Sequence, residues 1–275
     1  MSDYPLITPR RLADLDGPVV LLDVRWALGG PPGHEEHLRG HIPGASYVDL
    51  ETDLADPPGS RGRHPLPEPA RFQEAMRRCG VRGDVPVVAY DAVAGTSAAR
   101  AWWLLRYHGH HDVKVLDGGW QAWLEDIGTV EEGPVTSPPG DLTVEPGGMP
   151  VLDAAGAARV ARDGVLVDAR AAERFRGEVE PVDPVAGHVP RAVNVPTELN
   201  LTGPGGRFKD AATLTAVYEL AGVRPGREVG VYCGSGVTAS HDVLALAALG
   251  LDAALYPGSW SEWVRDRRRP VATGR

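Results

Sequence analysis

The sequence predicts an α/β protein of two tandem units, each a mainly parallel sheet flanked by helices. Three observations predict it: short apolar runs alternate with helical stretches, one set of motifs occurs twice in the same order, and a Gly/Pro-rich stretch separates the copies. Leu21-Leu22-Asp23-Val24-Arg25 recurs as Leu166-Val167-Asp168-Ala169-Arg170, and Gly40-His41-Ile42-Pro43-Gly44-Ala45 as Gly187-His188-Val189-Pro190-Arg191-Ala192. Cys79-Gly80-Val81-Arg82-Gly83 recurs as Ala221-Gly222-Val223-Arg224-Pro225. Asp117-Gly118-Gly119-Trp120 recurs ahead of Trp123 as Tyr256-Pro257-Gly258-Ser259-Trp260 ahead of Trp263. The offsets at Asp23, His41, Gly80 and Trp120 are 145, 147, 142 and 140 residues, too long for a solenoid and right for a duplicated domain.

Each half reads strand, loop, helix, strand, helix. Val85 to Tyr90 and Val229 to Tyr232 are continuous β-type runs, as expected of parallel strands covered on both faces. Ala98 to Tyr107 reads as a helix with Gly109 close behind it. Thr213 to Ala221 reads as another, preceded by Asp210 and closed by Gly222. After Tyr232 a glycine-rich turn leads into an apolar stretch, read as a helix, that runs to Leu249. Gly128 to Pro150 has no apolar periodicity and reads as a linker. The expected organisation is therefore a first domain over 1–127, a linker over 128–150 and a second domain over 151–275.

The chain has 275 residues, 43% of them hydrophobic and 24% charged, enough to build a core without metals or disulfides. A net charge of −9 argues against nucleic acid or an anionic membrane as partner, and Arg267-Arg268-Arg269 reads as solvated tail. Two cysteines, Cys79 and Cys233, make no disulfide framework. The first ten residues lack the apolar core of a secretory signal, and the apolar stretch from Val243 to Tyr256 is interrupted by Asp252 and too short for a bilayer. A cytoplasmic protein is expected.

The chemistry concentrates in Val229-Gly230-Val231-Tyr232-Cys233-Gly234-Ser235-Gly236-Val237-Thr238. A strand that ends on a thiol, followed by a glycine-rich turn and a helix, surrounds the sulfur with backbone N–H groups at the positive end of a helix. Such surroundings hold an anionic sulfur, the form that acts as nucleophile. Gly234 and Gly236 let the amides approach closely. In parallel sheets the reactive site forms where strands end and helices begin, and Cys233 is placed there. The residue matching Cys233 in the first half is Asp91, which cannot do thiolate chemistry. The second half alone is expected to carry the nucleophile.

With these residues in hand, the chain resembles the tandem-domain rhodanese family of sulfurtransferases, over nearly its whole length from about Leu21 to Trp263. The Cys233-Gly234-Ser235-Gly236-Val237-Thr238 loop looks like that of the 3-mercaptopyruvate sulfurtransferases. Members using thiosulfate typically carry Arg and Lys where this chain has Gly234 and Ser235. The resemblance implies an inactive first domain and an active second one. It also implies a Cys233 persulfide loaded from a small-molecule sulfur donor and discharged to cyanide or to a thiol such as thioredoxin, with no metal or organic cofactor. The loop from Gly234 through Gly236 and Val237 to Thr238 would bind the anionic sulfur. Ser235 would donate a hydrogen bond to the leaving enolate or to the donor sulfur, and His41 matches a first-half histidine with a relay or binding role.

Arg174, in Glu173-Arg174-Phe175-Arg176-Gly177, matches the family's arginine facing the substrate anion. Mercaptopyruvate enzymes carry a second arginine nine residues on, where this chain has Asp183, as thiosulfate-type members tend to. A carboxylate there weakens α-keto-acid binding unless Arg176 or Arg191 compensates. Loop and clamp thus point to different donors. The loop carries more weight because it touches the sulfur, and mercaptopyruvate is the expected donor with thiosulfate as the alternative. A phosphatase reading fails on Ala239, which stands where a phosphate-binding arginine is needed. A non-catalytic binding module fits the first half but not a second half that keeps its cysteine.

Overall fold

The computed structural model describes residues 4–203 and 206–274, so part of the N-terminal stretch read above lies outside it. The chain folds into two compact units. The first comprises Met1–Asp56, Leu66–Met149 and Gly203–Phe208, and the second Pro57–Pro65, Pro150–Thr202 and Lys209–Arg275. Each unit includes a short segment from the far side of the linker.

The first unit holds β1 (Leu6–Ile7), β2 (Val20–Asp23), β3 (Ser46–Tyr47), β4 (Val87–Tyr90) and β5 (Val113–Leu116), in the order β1-β5-β4-β2-β3. The second holds β6 (Val165–Asp168), β7 (Val193–Asn194), β8 (Val229–Tyr232) and β9 (Ala254–Leu255), in the order β7-β6-β8-β9. Every pairing is parallel. The two orders coincide when β2, β3, β4 and β5 are matched with β6, β7, β8 and β9, so the duplication read from the motifs is a duplication of topology. A single bridge from Val151 to Leu255 stands where β1 stands in the first sheet.

The central strands β4 and β8 are buried along their whole length, as expected of strands covered on both faces. β4 begins at Val87 and not at Val85, because Pro86 has no N–H for the ladder and offers only its carbonyl, to the Val20 N–H. Helix Ala98–Tyr107 packs on β4 and β5, and helix Ala239–Ala248 on β8 and β9. The linker carries no helix or named strand but is pinned to the first unit: Gly140 N–H donates to the Arg77 carbonyl at 2.8 Å and Leu142 is buried.

The repeated motifs have physical causes. In each unit the Asp-x-Arg arginine lies buried on its own aspartate and on the carbonyl before the motif histidine. Arg25 Nη2 reaches Asp23 at 2.6 Å and the Gly40 carbonyl at 2.5 Å, and Arg170 Nη2 reaches Asp168 and the Gly187 carbonyl, each at 2.7 Å. The same guanidinium groups lie over Trp120 at 4.9 Å and Trp260 at 4.8 Å. Burying an indole such as Trp260 removes about 200 Å² from water, worth roughly 4–6 kcal/mol before entropy is counted. The Cys-Gly-Val and Ala-Gly-Val motifs end helices. Gly80 and Gly222 take φ of 81° and 86°, and the N–H groups of Val81 and Val223 reach back to the Met76 and Tyr218 carbonyls.

Candidate active site

Cys233 follows β8 directly, one residue after Tyr232, which pairs with Asp168 of β6. Asp91 follows β4 in the same register, one residue after Tyr90, which pairs with Asp23 of β2. The two loops therefore start from equivalent points of equivalent sheets, and they differ in what fills them.

In the first unit the Asp91 carboxylate fills its loop. One oxygen accepts from the N–H groups of Val93 and Gly95, both at 2.8 Å, and the other from Ser97 at 2.7 Å and Ala98 at 2.8 Å. Burial pushes this carboxyl up, and the four N–H bonds pull against that rise. With two donors on each oxygen there is no place for an acid proton, so the loop holds an anion.

In the second unit the Cys233 sulfur accepts from the Gly236 N–H at 3.1 Å, and the thiol is 2% exposed. Gly236 has φ 79°, and a Cβ there would collide with the Pro257 carbonyl. Helix Ala239–Ala248 starts immediately after Thr238, with its N-terminal end turned to the loop. Val237, in the same loop, is buried. The loop backbone is held from the next turn of chain. Trp260 N–H donates to the Cys233 carbonyl at 3.0 Å and Ser261 N–H to the Gly234 carbonyl at 2.9 Å. Ser259, at φ 52°, accepts from the Cys233 N–H at 3.1 Å and donates to the Tyr256 carbonyl at 2.8 Å. A non-glycine residue in this backbone region costs about 1–3 kcal/mol, and those two bonds offset it. Its first-unit counterpart is Gly119, where a Cβ would strike the Asp91 carbonyl.

Segment Pro57–Pro65 brings two side chains to the loop. His64 Nδ1 lies 2.8 Å from Ser235 Oγ, with both residues buried. Arg63 pairs with Asp183, and its N–H donates to Ser261 Oγ at 3.1 Å. Arg174 pairs with Glu180 at 2.6 Å and lies 3.6 Å from Asp183. Burial would raise the Glu180 carboxyl, but the Arg174 guanidinium and the N–H groups of Asp183 and Val182 outweigh it and hold it below the usual range. For Asp183 burial wins, and its carboxyl is raised despite Arg63.

The structure brings together Cys233, Gly234, Ser235, Gly236, Val237, Thr238 and Arg174. His41 lies in the first unit, where its ring stacks on His37 at 3.9 Å and its Nδ1 faces the His37 carbonyl at 2.8 Å. His188 repeats the arrangement, stacked on Phe175 at 3.7 Å with Nδ1 2.7 Å from that residue's carbonyl. Arg176 pairs with Glu178 at the surface, and Arg191 is exposed at a turn, so neither compensates for Asp183. Arg63, His64 and Ser259 were not singled out from sequence. The only signal for the first two was the basic run Arg61-Gly62-Arg63-His64 inside a Pro/Gly loop.

Fold and site define a duplicated α/β protein with a thiol-bearing loop in one copy and a carboxylate-bearing loop in the other. The rhodanese-like domain family matches residues 9–126 and 153–266, and the chain belongs to that family. It is 48% identical over 280 residues to SseB of Mycobacterium tuberculosis, covering 98% of this chain and 97% of that one, a protein named provisionally as a thiosulfate sulfurtransferase. It is 46% identical over 284 residues to a Pseudomonas aeruginosa protein named provisionally as a 3-mercaptopyruvate sulfurtransferase, covering the whole of both. The crystal structure of SseA from Escherichia coli, described as a 3-mercaptopyruvate sulfotransferase, superposes with a TM-score of 0.82 at 36% identity, covering 94% of this chain and 99% of that one. No helix among the described residues is long and apolar enough to cross a membrane.

Proposed function

We propose that the chain is a sulfurtransferase that moves the sulfur of 3-mercaptopyruvate to a thiol or to cyanide through a persulfide on Cys233. The observation that carries this reading is the Cys233 sulfur under the Gly236 N–H, next to a Ser235 hydroxyl already hydrogen-bonded to His64. In the first half-reaction the Cys233 thiolate attacks the donor sulfur. The new S–S bond forms as the donor C–S bond breaks, and the electron pair passes to the enolate of pyruvate. The donor's thiol proton ends on pyruvate and the outer sulfur remains as an anion, so charge and atoms balance. In this reading Ser235, with His64 2.8 Å behind it, holds a proton for the enolate oxygen. In the second half-reaction a thiolate or cyanide attacks the outer sulfur and Cys233 leaves as thiolate. The first unit, with Asp91 in its loop, takes no part in the sulfur chemistry. A dithiol protein of the thioredoxin type in a reducing cytoplasm is the acceptor we favour.

Thiosulfate is the second reading, favoured by the name of the 48% identical relative. The donors differ where Ser235 acts: sulfite leaves as a stable anion, whereas the pyruvate enolate needs a proton. Ser235→Ala should therefore lower kcat/KM for mercaptopyruvate by about 10²-fold, the usual scale of a lost proton donor, and change the thiosulfate value far less. Equal losses with both donors would contradict a proton-handling Ser235. A wild-type enzyme that turns over thiosulfate and leaves mercaptopyruvate untouched would replace the first reading with the second.

A further inference from the structure

We infer that Arg63 is the second cation of the donor-anion site, standing in for the arginine that Asp183 displaces from its usual place in the chain. This rests on the sulfurtransferase reading above. A Cβ built on Gly234, the residue after Cys233, would lie 2.8 Å from Arg63 Nη2 and 3.7 and 3.8 Å from Arg174 Nη2 and Nη1. Two guanidinium groups from distant stretches of chain thus converge beside the reactive residue, Arg63 close enough that a side chain at 234 would press on its tip and Arg174 at ordinary contact distance.

Each guanidinium is steered by a carboxylate and keeps donors to spare. Arg63 uses Nη1 on Asp183, which leaves Nη2 toward Gly234. Arg174 uses Nε and Nη2 on Glu180, which leaves Nη1. The facing pair Nη2 of Arg63 and Nη1 of Arg174 suits an anion with two or more oxygens, one for each arginine. A carboxylate or a sulfonate next to the sulfur to be transferred has that form.

Asp183 acquires a role different from the one its sequence position suggests. It is 4% exposed at the side chain, and Arg63 is 25% exposed. The carboxylate is turned onto Arg63 and away from solvent, so it positions the cation more than it repels the donor. Loss of Asp183 would release Arg63. The pairings also make the cluster of Arg63, Arg174, Glu180 and Asp183 formally neutral, so binding depends on directed N–H groups and less on net charge.

The test is Arg63→Gln, with Arg63→Lys beside it and thermal unfolding as the fold control. KM for mercaptopyruvate should rise by about tenfold or more, the scale of one charge-assisted hydrogen bond, with a smaller change in kcat. Arg63→Lys should fall between the two. A readout independent of turnover is alkylation of Cys233 by iodoacetate relative to neutral iodoacetamide. In wild type the anionic reagent should be favoured relative to the same pair of reagents on glutathione, and Arg63→Gln should lose that preference. Unchanged KM and an unchanged reagent ratio in folded Arg63→Gln would overturn the assignment, as would a wild-type protein with no preference over glutathione. If wild type forms no persulfide from either donor, the sulfurtransferase reading falls while the alkylation ratio still decides whether Arg63 attracts anions.

Discussion

The two cysteines differ in what their surroundings allow. Cys79 caps helix Pro69–Arg78, its thiol faces the Tyr47 carbonyl at 3.6 Å, and burial pushes it up to about 12. Cys233 is as deeply buried, but a backbone N–H points at its sulfur and two guanidinium groups stand beside the next residue. Cys233→Ser should abolish sulfur transfer to cyanide, and Cys79→Ala should keep activity within about twofold while costing roughly 1 kcal/mol of stability at most. Steady-state assays with urea unfolding check both, and an inactive but folded Cys79→Ala would contradict the structural role given to it. The residues legible in sequence were those that a local pattern marks: a thiol after a strand, glycines in a turn, an arginine in a short motif. Arg63 and His64 were not, since their partners Asp183 and Ser235 lie 120 and 171 residues away. His41 stands out in the sequence through a repeated motif. Its motif is conspicuous because a buried ring stack and a carbonyl contact require it, in both halves alike.

At the level of the element, the strand–loop–helix unit appears twice with one anion cradle filled and one available. Asp91 fills its loop with its own carboxylate, whereas in the second loop the Cys233 sulfur accepts from the Gly236 N–H. The N–H groups of residues 93, 95, 97 and 98 all depend on its two oxygens. Asp91→Asn would turn an NH₂ group toward two of those donors. It should cost about 2–5 kcal/mol in chemical unfolding while leaving kcat of the folded enzyme unchanged. Full stability in Asp91→Asn would show that the carboxylate does not hold the loop. The elements themselves were legible. Ala98–Tyr107 and Val229–Tyr232 run as the sequence predicts, because apolar runs bounded by glycine leave little choice of period or end point. Strand pairing partners were not legible, but the equivalence of the halves was, and it carried the topology.

For the molecule as a whole, the sequence shows two copies and a linker, but it does not reveal that Pro57–Pro65 packs with the second unit and Gly203–Phe208 with the first. Both segments are rich in glycine or proline and lack apolar periodicity, so nothing local marks where they pack. The consequence is functional, because the duplicated second half by itself lacks Arg63 and His64. The two loops differ in length as well as in residues, helix Ala98–Tyr107 starting seven residues after Asp91 and helix Ala239–Ala248 six after Cys233. The central claim is that Cys233 carries the transferred sulfur. Intact-mass measurement after incubation with mercaptopyruvate tests it most directly. The protein should gain about 32 Da, one sulfur atom, at Cys233, lose it on adding cyanide, and gain nothing as Cys233→Ser. A wild-type protein that turns over donor without ever carrying that mass, or that carries it on Cys79, would contradict the account.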